Sequence, residues 1–94
     1  MKSIYEMEII ELIKTKDVAL NDLSEALLEY KKEEALILLT TDFKELKLTN
    51  DKMRNAYVTE QLFSLKTRIK ALENSLTIIN DLLKLRFIER GGEQ

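Results

Sequence analysis

From Val58 to Leu83 the chain carries a repeat that few folds tolerate. Val58, Leu62, Leu65, Ile69, Leu72, Leu76, Ile79 and Leu83 lie alternately four and three residues apart, and all are aliphatic. This is the 3.5-residue spacing of a coiled-coil seam. It predicts a long helix whose apolar stripe a partner helix must cover. It specifies an architecture and leaves the chemistry open.

The first half of the chain supplies a candidate partner. Ile9, Ile13, Lys16, Leu20, Leu23, Leu27, Tyr30, Glu34 and Ile37 follow the same four-three spacing. Tyr5, Leu12, Ala19, Ala26 and Leu38 flank that row and widen the apolar face. Lys16 and Glu34 fall at inward positions, where their stems can pack while the charges reach water. The spacing predicts a helix over residues 3 to about 40. Asp22 and Glu25 have capping-box spacing, so residues 15–22 are the place where it would break. Length and pattern favour continuity over that break.

The chain has no proline, and its two glycines are adjacent, at Gly91 and Gly92. Long uninterrupted helices are therefore expected. Thr40, Thr41 and Asp42 offer N-cap oxygens, and Asp42 with Glu45 has capping-box spacing. Phe43 to Lys47 reads as one helical turn, with Phe43 and Leu46 closing the end of a bundle. Thr49 is the expected N-cap of the last helix, Asp51 favours its positive end, and Leu48 can staple onto Met53. That helix is expected from about residue 50 to 90, stopped by Gly91, with residues 91–94 as a tail. Two long helices joined by a short turn run antiparallel.

From residue 75 onward a second apolar stripe appears. Ile78, Leu82 and Leu85 lie beside Ile79 and Leu83, followed by Phe87 and Ile88. One partner helix does not cover so wide a face. Ile78, Leu82 and Leu85 are thus candidates for an interface with a second copy. The fold expected is all-α: a single helical domain over 1–94, a long antiparallel hairpin that dimerises into a four-helix bundle. A chain of 94 residues gains stability from such a partner.

Much chemistry is excluded. There is no histidine and no cysteine, which removes thiol nucleophiles, the commonest general base and most zinc sites. No glycine-rich loop can cradle a phosphate. Glu25, Glu29 and Glu33 could share a cation, but such runs are usually solvated faces. No catalytic residue, metal or cofactor is expected. The N-terminal stretch is interrupted at once by acidic residues, unlike a signal peptide. The longest apolar run, Ala35 to Leu39, is too short to span a bilayer. A cytoplasmic protein with no membrane partner is the expectation.

Net charge is −2, unevenly spread. Residues 1–50 carry seven Lys/Arg against eleven Asp/Glu, and residues 51–94 carry eight against six. Two halves of opposite sign suit a hairpin. Lys66, Lys70, Lys84, Arg86 and Arg90 are the candidate phosphate contacts of a nucleic-acid-binding helix, with Phe87 nearby as a stacking aromatic. Arg68 points away from Lys66 and Lys70, which thins the patch. The competing reading is a soluble face paired with the acidic first helix.

The segment Ala35-Leu-Ile-Leu-Leu-Thr-Thr-Asp-Phe-Lys-Glu-Leu-Lys-Leu-Thr-Asn-Asp-Lys-Met-Arg-Asn-Ala-Tyr-Val58 resembles small helical proteins of tailed phages and prophages. These place a Thr-Asp-aromatic turn before a Leu-Thr-Asn-acidic-Lys-x-Arg-x-Ala-Tyr-Val helix start. Where their pattern often has glycine in the turn, this chain has Lys47, which argues against a left-handed conformation there. The resemblance implies a phage or prophage origin and a setting near DNA replication or recombination. Asp42, Phe43, Thr49, Asn50, Lys52, Arg54 and Tyr57 match the pattern. They are read either as capping and turn packing or as a knob that docks a partner. The function expected is a non-enzymatic protein–protein interaction module, binding itself and a phage or host protein. A nucleic-acid-binding accessory and a small inhibitor of a host defence or nuclease are the alternatives.

Overall fold

The computed structural model describes residues 4–92, with side chains as far as residue 89. Among these residues the chain is helical throughout its regular elements, with no strand. A 3₁₀ turn, Ile4–Glu6, precedes helix α1, Ile9–Thr40. Helices α2, Asp51–Gln61, and α3, Phe63–Gly92, follow one another along the return path. α1 packs chiefly along α3. The molecule is a rod of 68 × 20 × 19 Å, two helices thick. Its radius of gyration is 19.6 Å, against about 12 Å for a compact chain of this length.

The seam of the second half is confirmed residue by residue. Val58, Leu62, Ile69, Leu76, Ile79 and Leu83 are at most 8% exposed, while Leu65 and Leu72 are half-buried. At about 25 cal/mol per Å², burying each such side chain stabilises the rod by roughly 1.5–3 kcal/mol.

The partner row of α1 differs from the expectation by one residue. Leu12, Ala19 and Ala26 are buried, whereas Ile13, Leu20 and Leu27 stand 43–45% exposed. Ile9, Lys16, Leu23, Tyr30, Glu34 and Ile37 are half-buried, as their positions require. The reason is volume. α3 presents large aliphatics at every layer, and facing layers interdigitate when large meets small. Ala19 and Ala26 let the helices approach, whereas leucines at 20 and 27 would overfill the same layers. Hydropathy alone favours the heavier row, and packing selects the lighter one.

α1 starts six residues later than expected and does not break at 15–22. Glu8 is its N-cap, and Glu11 reaches back to the Glu8 N–H at 3.5 Å. Within α1 the Thr15 hydroxyl donates to the Glu11 carbonyl at 2.8 Å, which satisfies it without leaving the helix. Residues 4–7 instead fold back over the end of α3. Ile4, Met7 and Leu82 are partly buried and pack against the cluster Leu12, Ala19, Leu76, Ile79 and Leu83.

The return path bends at Leu62, where φ is −98° and ψ is 9°. The Leu62 N–H still donates to Val58 O at 3.1 Å, and the Lys66 N–H donates to Leu62 O at 2.9 Å. The rod therefore continues across the bend as α2 and α3 rather than as one helix. At its far end α3 runs through Gly91 to Gly92, so Gly91 does not stop it. Residues 93 and 94 of the expected tail lie outside the described residues. No helix among the described residues is long and apolar enough to cross a membrane.

Candidate functional site

The turn between α1 and α2 is built almost entirely from local hydrogen bonds. The Asp42 carboxylate accepts the Glu45 N–H at 3.1 Å, opening the single helical turn expected there. The Leu48 N–H donates to Phe43 O at 2.9 Å, and the Lys47 N–H donates to Lys44 O at 3.0 Å. This pair of bonds is a Schellman closure, with Lys47 at the position that takes positive φ. Lys47 has φ 59°, so the left-handed conformation that its side chain argued against is present. Two hydrogen bonds and the Leu48–Phe43 end of the motif outweigh a steric cost of roughly 1 kcal/mol.

Asn50, not Thr49, caps α2: its side-chain oxygen accepts the Met53 N–H at 2.9 Å. Thr49 stays exposed, with its hydroxyl 4.0 Å from Met53 Sδ. Phe43 and Tyr57 meet edge to face, with ring centroids 6.2 Å apart. Arg54 lies over the Phe43 ring at 5.5 Å and donates from Nε to Leu48 O at 3.0 Å. Phe43, Arg54 and Tyr57 are half-buried, while Asp42, Thr49 and Lys52 are exposed. The matched turn residues are thus largely engaged in holding the turn together. Among the exposed polar groups at this end stand apolar side chains, Leu36, Leu38, Leu46 and above all Leu39, which is 85% exposed. Leu46, expected to close the bundle end, is 48% exposed instead. For Leu36, Leu38 and Leu39 the signal in the sequence was the run Ala35 to Leu39, which is too apolar for one helix face to bury.

The candidate dimer stripe is divided. Leu82 is half-buried against the core, while Ile78 and Leu85 are exposed. Leu82 packs against the same buried cluster that Ile4 and Met7 cover, so the chain's own core already takes up part of this stripe.

The candidate basic face is divided too. Arg86 donates from Nη2 to Tyr5 O at 2.7 Å and from Nε to Met7 O at 3.4 Å. It also pairs with Glu89 at 3.3 Å. It is a clasp for the N-terminal segment, a role that sequence reading missed because nothing local marks it. Lys66 and Lys70 instead flank a shallow surface depression of about 210 Å³ with Phe63 and Thr67. Phe63 is 67% exposed there, an aromatic face one helical turn from Lys66 and two from Lys70. Lys84 is exposed further along α3, and the Arg90 side chain lies outside the described residues. Glu25, Glu29 and Glu33 are exposed, and no acidic group able to hold a metal ion converges among the described residues.

Comparison with protein-family models, curated proteins and solved structures finds no match for this chain.

Proposed function

We propose that this protein is a non-enzymatic protein–protein interaction module of phage or prophage origin, accessory to DNA replication or recombination. One observation carries the interaction reading: large apolar side chains remain uncovered after the seam is closed, at both ends of the rod, with Leu39 at the turn end the most exposed of them. The rod exposes 7466 Å² of surface, whereas a compact monomer of this mass exposes about 5,600 Å². Uncovered aliphatics on so large a surface suit association better than isolation. The phage setting rests on the resemblance over residues 35–58. The docking end is the turn end of the rod, where Leu36, Leu39 and Leu46 are exposed alongside Thr49 and Lys52.

Immobilised protein should capture a second protein species from phage-infected lysate, and a Leu36→Glu/Leu39→Glu variant should release it. Both leucines are exposed, so the variant keeps its fold. Recovery of nothing but the protein's own copies would count against this reading.

A second reading has its own observation. Phe63, in line with Lys66 and Lys70 on one face of α3, combines a stacking surface with phosphate contacts. It predicts binding to single-stranded oligonucleotides that weakens steeply with salt and is lost in a Phe63→Ala/Lys66→Glu variant. Fluorescence anisotropy at low and near-physiological salt decides it: no binding at low salt removes the nucleic-acid reading.

A further inference from the structure

The one-residue shift of the α1 seam leaves a second seam on the outside. Ile13, Leu20 and Leu27 keep seven-residue spacing but lie about 100° round the helix from the buried row and are left partly exposed. Asp17, Ser24 and Lys31 interleave with them, again seven apart, and all three are exposed. The two rows alternate four and three residues, so they form one stripe along the helix. Ile10 and Leu38, both exposed, extend it at either end.

The charged row of this stripe is self-complementary when reversed. If two α1 helices cross antiparallel about Ser24, residue positions equally far from 24 meet. Asp17 of one copy then faces Lys31 of the other, and the twofold axis makes that pair twice. Ser24 meets Ser24, where a small side chain permits close approach. Ile10 meets Leu38 and Leu20 meets Leu28, while Ile13 meets Ala35 and Leu27 meets Asn21. A parallel pairing would instead set Asp17 on Asp17 and Lys31 on Lys31. An isologous interface needs this kind of reversal symmetry, and a solvated face has no reason to show it.

The alternative stripe, Ile78, Leu82 and Leu85, is the poorer candidate, because Leu82 already packs against the chain's own core.

We infer that the exposed face of α1 is a homodimer interface, in which two copies pair antiparallel about Ser24. This deepens the interaction-module reading by naming one partner, a second copy, and its surface.

The chain has no cysteine, which allows a clean test. Ser24→Cys should oxidise to a covalent dimer at micromolar protein, with light scattering giving twice the 11.0 kDa chain mass. Glu29→Cys, also exposed but about 140° round the helix, should not cross-link at a comparable rate. Asp17→Lys should weaken the dimer of the uncross-linked chain about tenfold by sedimentation, through two like-charge pairs. Asp17→Lys combined with Lys31→Asp should restore it to within about twofold. All these positions are exposed, and circular dichroism verifies that each variant folds. A chain that stays monomeric overturns the inference, as does a dimer that ignores both charge changes or cross-links equally from Glu29→Cys. The lysate capture test is separate: a monomer that still captures a partner through Leu36 and Leu39 would sink the dimer and leave the module reading intact.

Discussion

At the end of the rod where residues 4–12 meet α3, Leu12, Ala19, Leu76, Ile79 and Leu83 form one buried cluster, clasped by Arg86. At the turn end Leu36, Leu38 and Leu39 of α1 are exposed to water, and order comes chiefly from caps, a Schellman closure and one aromatic pair. Burial stabilises the first region through contacts between residues some seventy positions apart in sequence. The second is held by bonds that span three to six residues. Two regions of one hairpin thus reach order by different means. The locally held end keeps its apolar surface available, because its own structure does not need that surface.

The largest test of this contrast is truncation in the two regions. Ile79→Ala should cost about 2–5 kcal/mol, read as a lowered midpoint in urea or thermal melts. Leu39→Ala should change stability by less than about 0.5 kcal/mol. Equal losses would mean that the turn end is packed after all. Next in size, Arg86→Ala should cost roughly 1.5–2 kcal/mol by leaving the Tyr5 and Met7 carbonyls without their charged donor. Amide exchange should quicken at residues 4–8 and stay unchanged near residue 50. If protection at 4–8 persists, the clasp has no energetic role. A smaller effect is expected from Asn50→Ala, about 1 kcal/mol for the lost cap, with Thr49→Ala close to neutral. The reverse order would restore Thr49 as the cap. The smallest change has the opposite sign. Lys47→Gly should stabilise the protein by somewhat under 1 kcal/mol, since glycine takes positive φ without steric cost. Destabilisation would show that the Lys47 side chain supports the turn.

The stripe from Val58 to Leu83 was readable because every residue in it is aliphatic and the four-three spacing holds without a break for more than three heptads. The capping role of Asp42 was readable because such bonds span three residues and depend on little else. Lys47 was misjudged for a related reason: side-chain preference weighs about 1 kcal/mol, and the two hydrogen bonds of the closure exceed it. The bend at Leu62 has no local sequence mark. Among the candidate site residues, Phe43, Arg54 and Tyr57 could be named from the sequence. That they hold one another, leaving Leu36 and Leu39 as the outward surface, could not.

The sequence by itself determined that this chain is helical, that its second half carries a seam, and that histidine and thiol chemistry are absent. Tertiary structure decided which of two apolar rows on α1 closes that seam. Hydropathy ranks Ile13, Leu20 and Leu27 above Leu12, Ala19 and Ala26, and only the volume of the facing side chains reverses the order. It also decided that Arg86 binds two backbone carbonyls some eighty residues away rather than solvent. Both outcomes depend on which surfaces the fold brings together, and that juxtaposition is a property of the packed pair of helices, not of either helix alone.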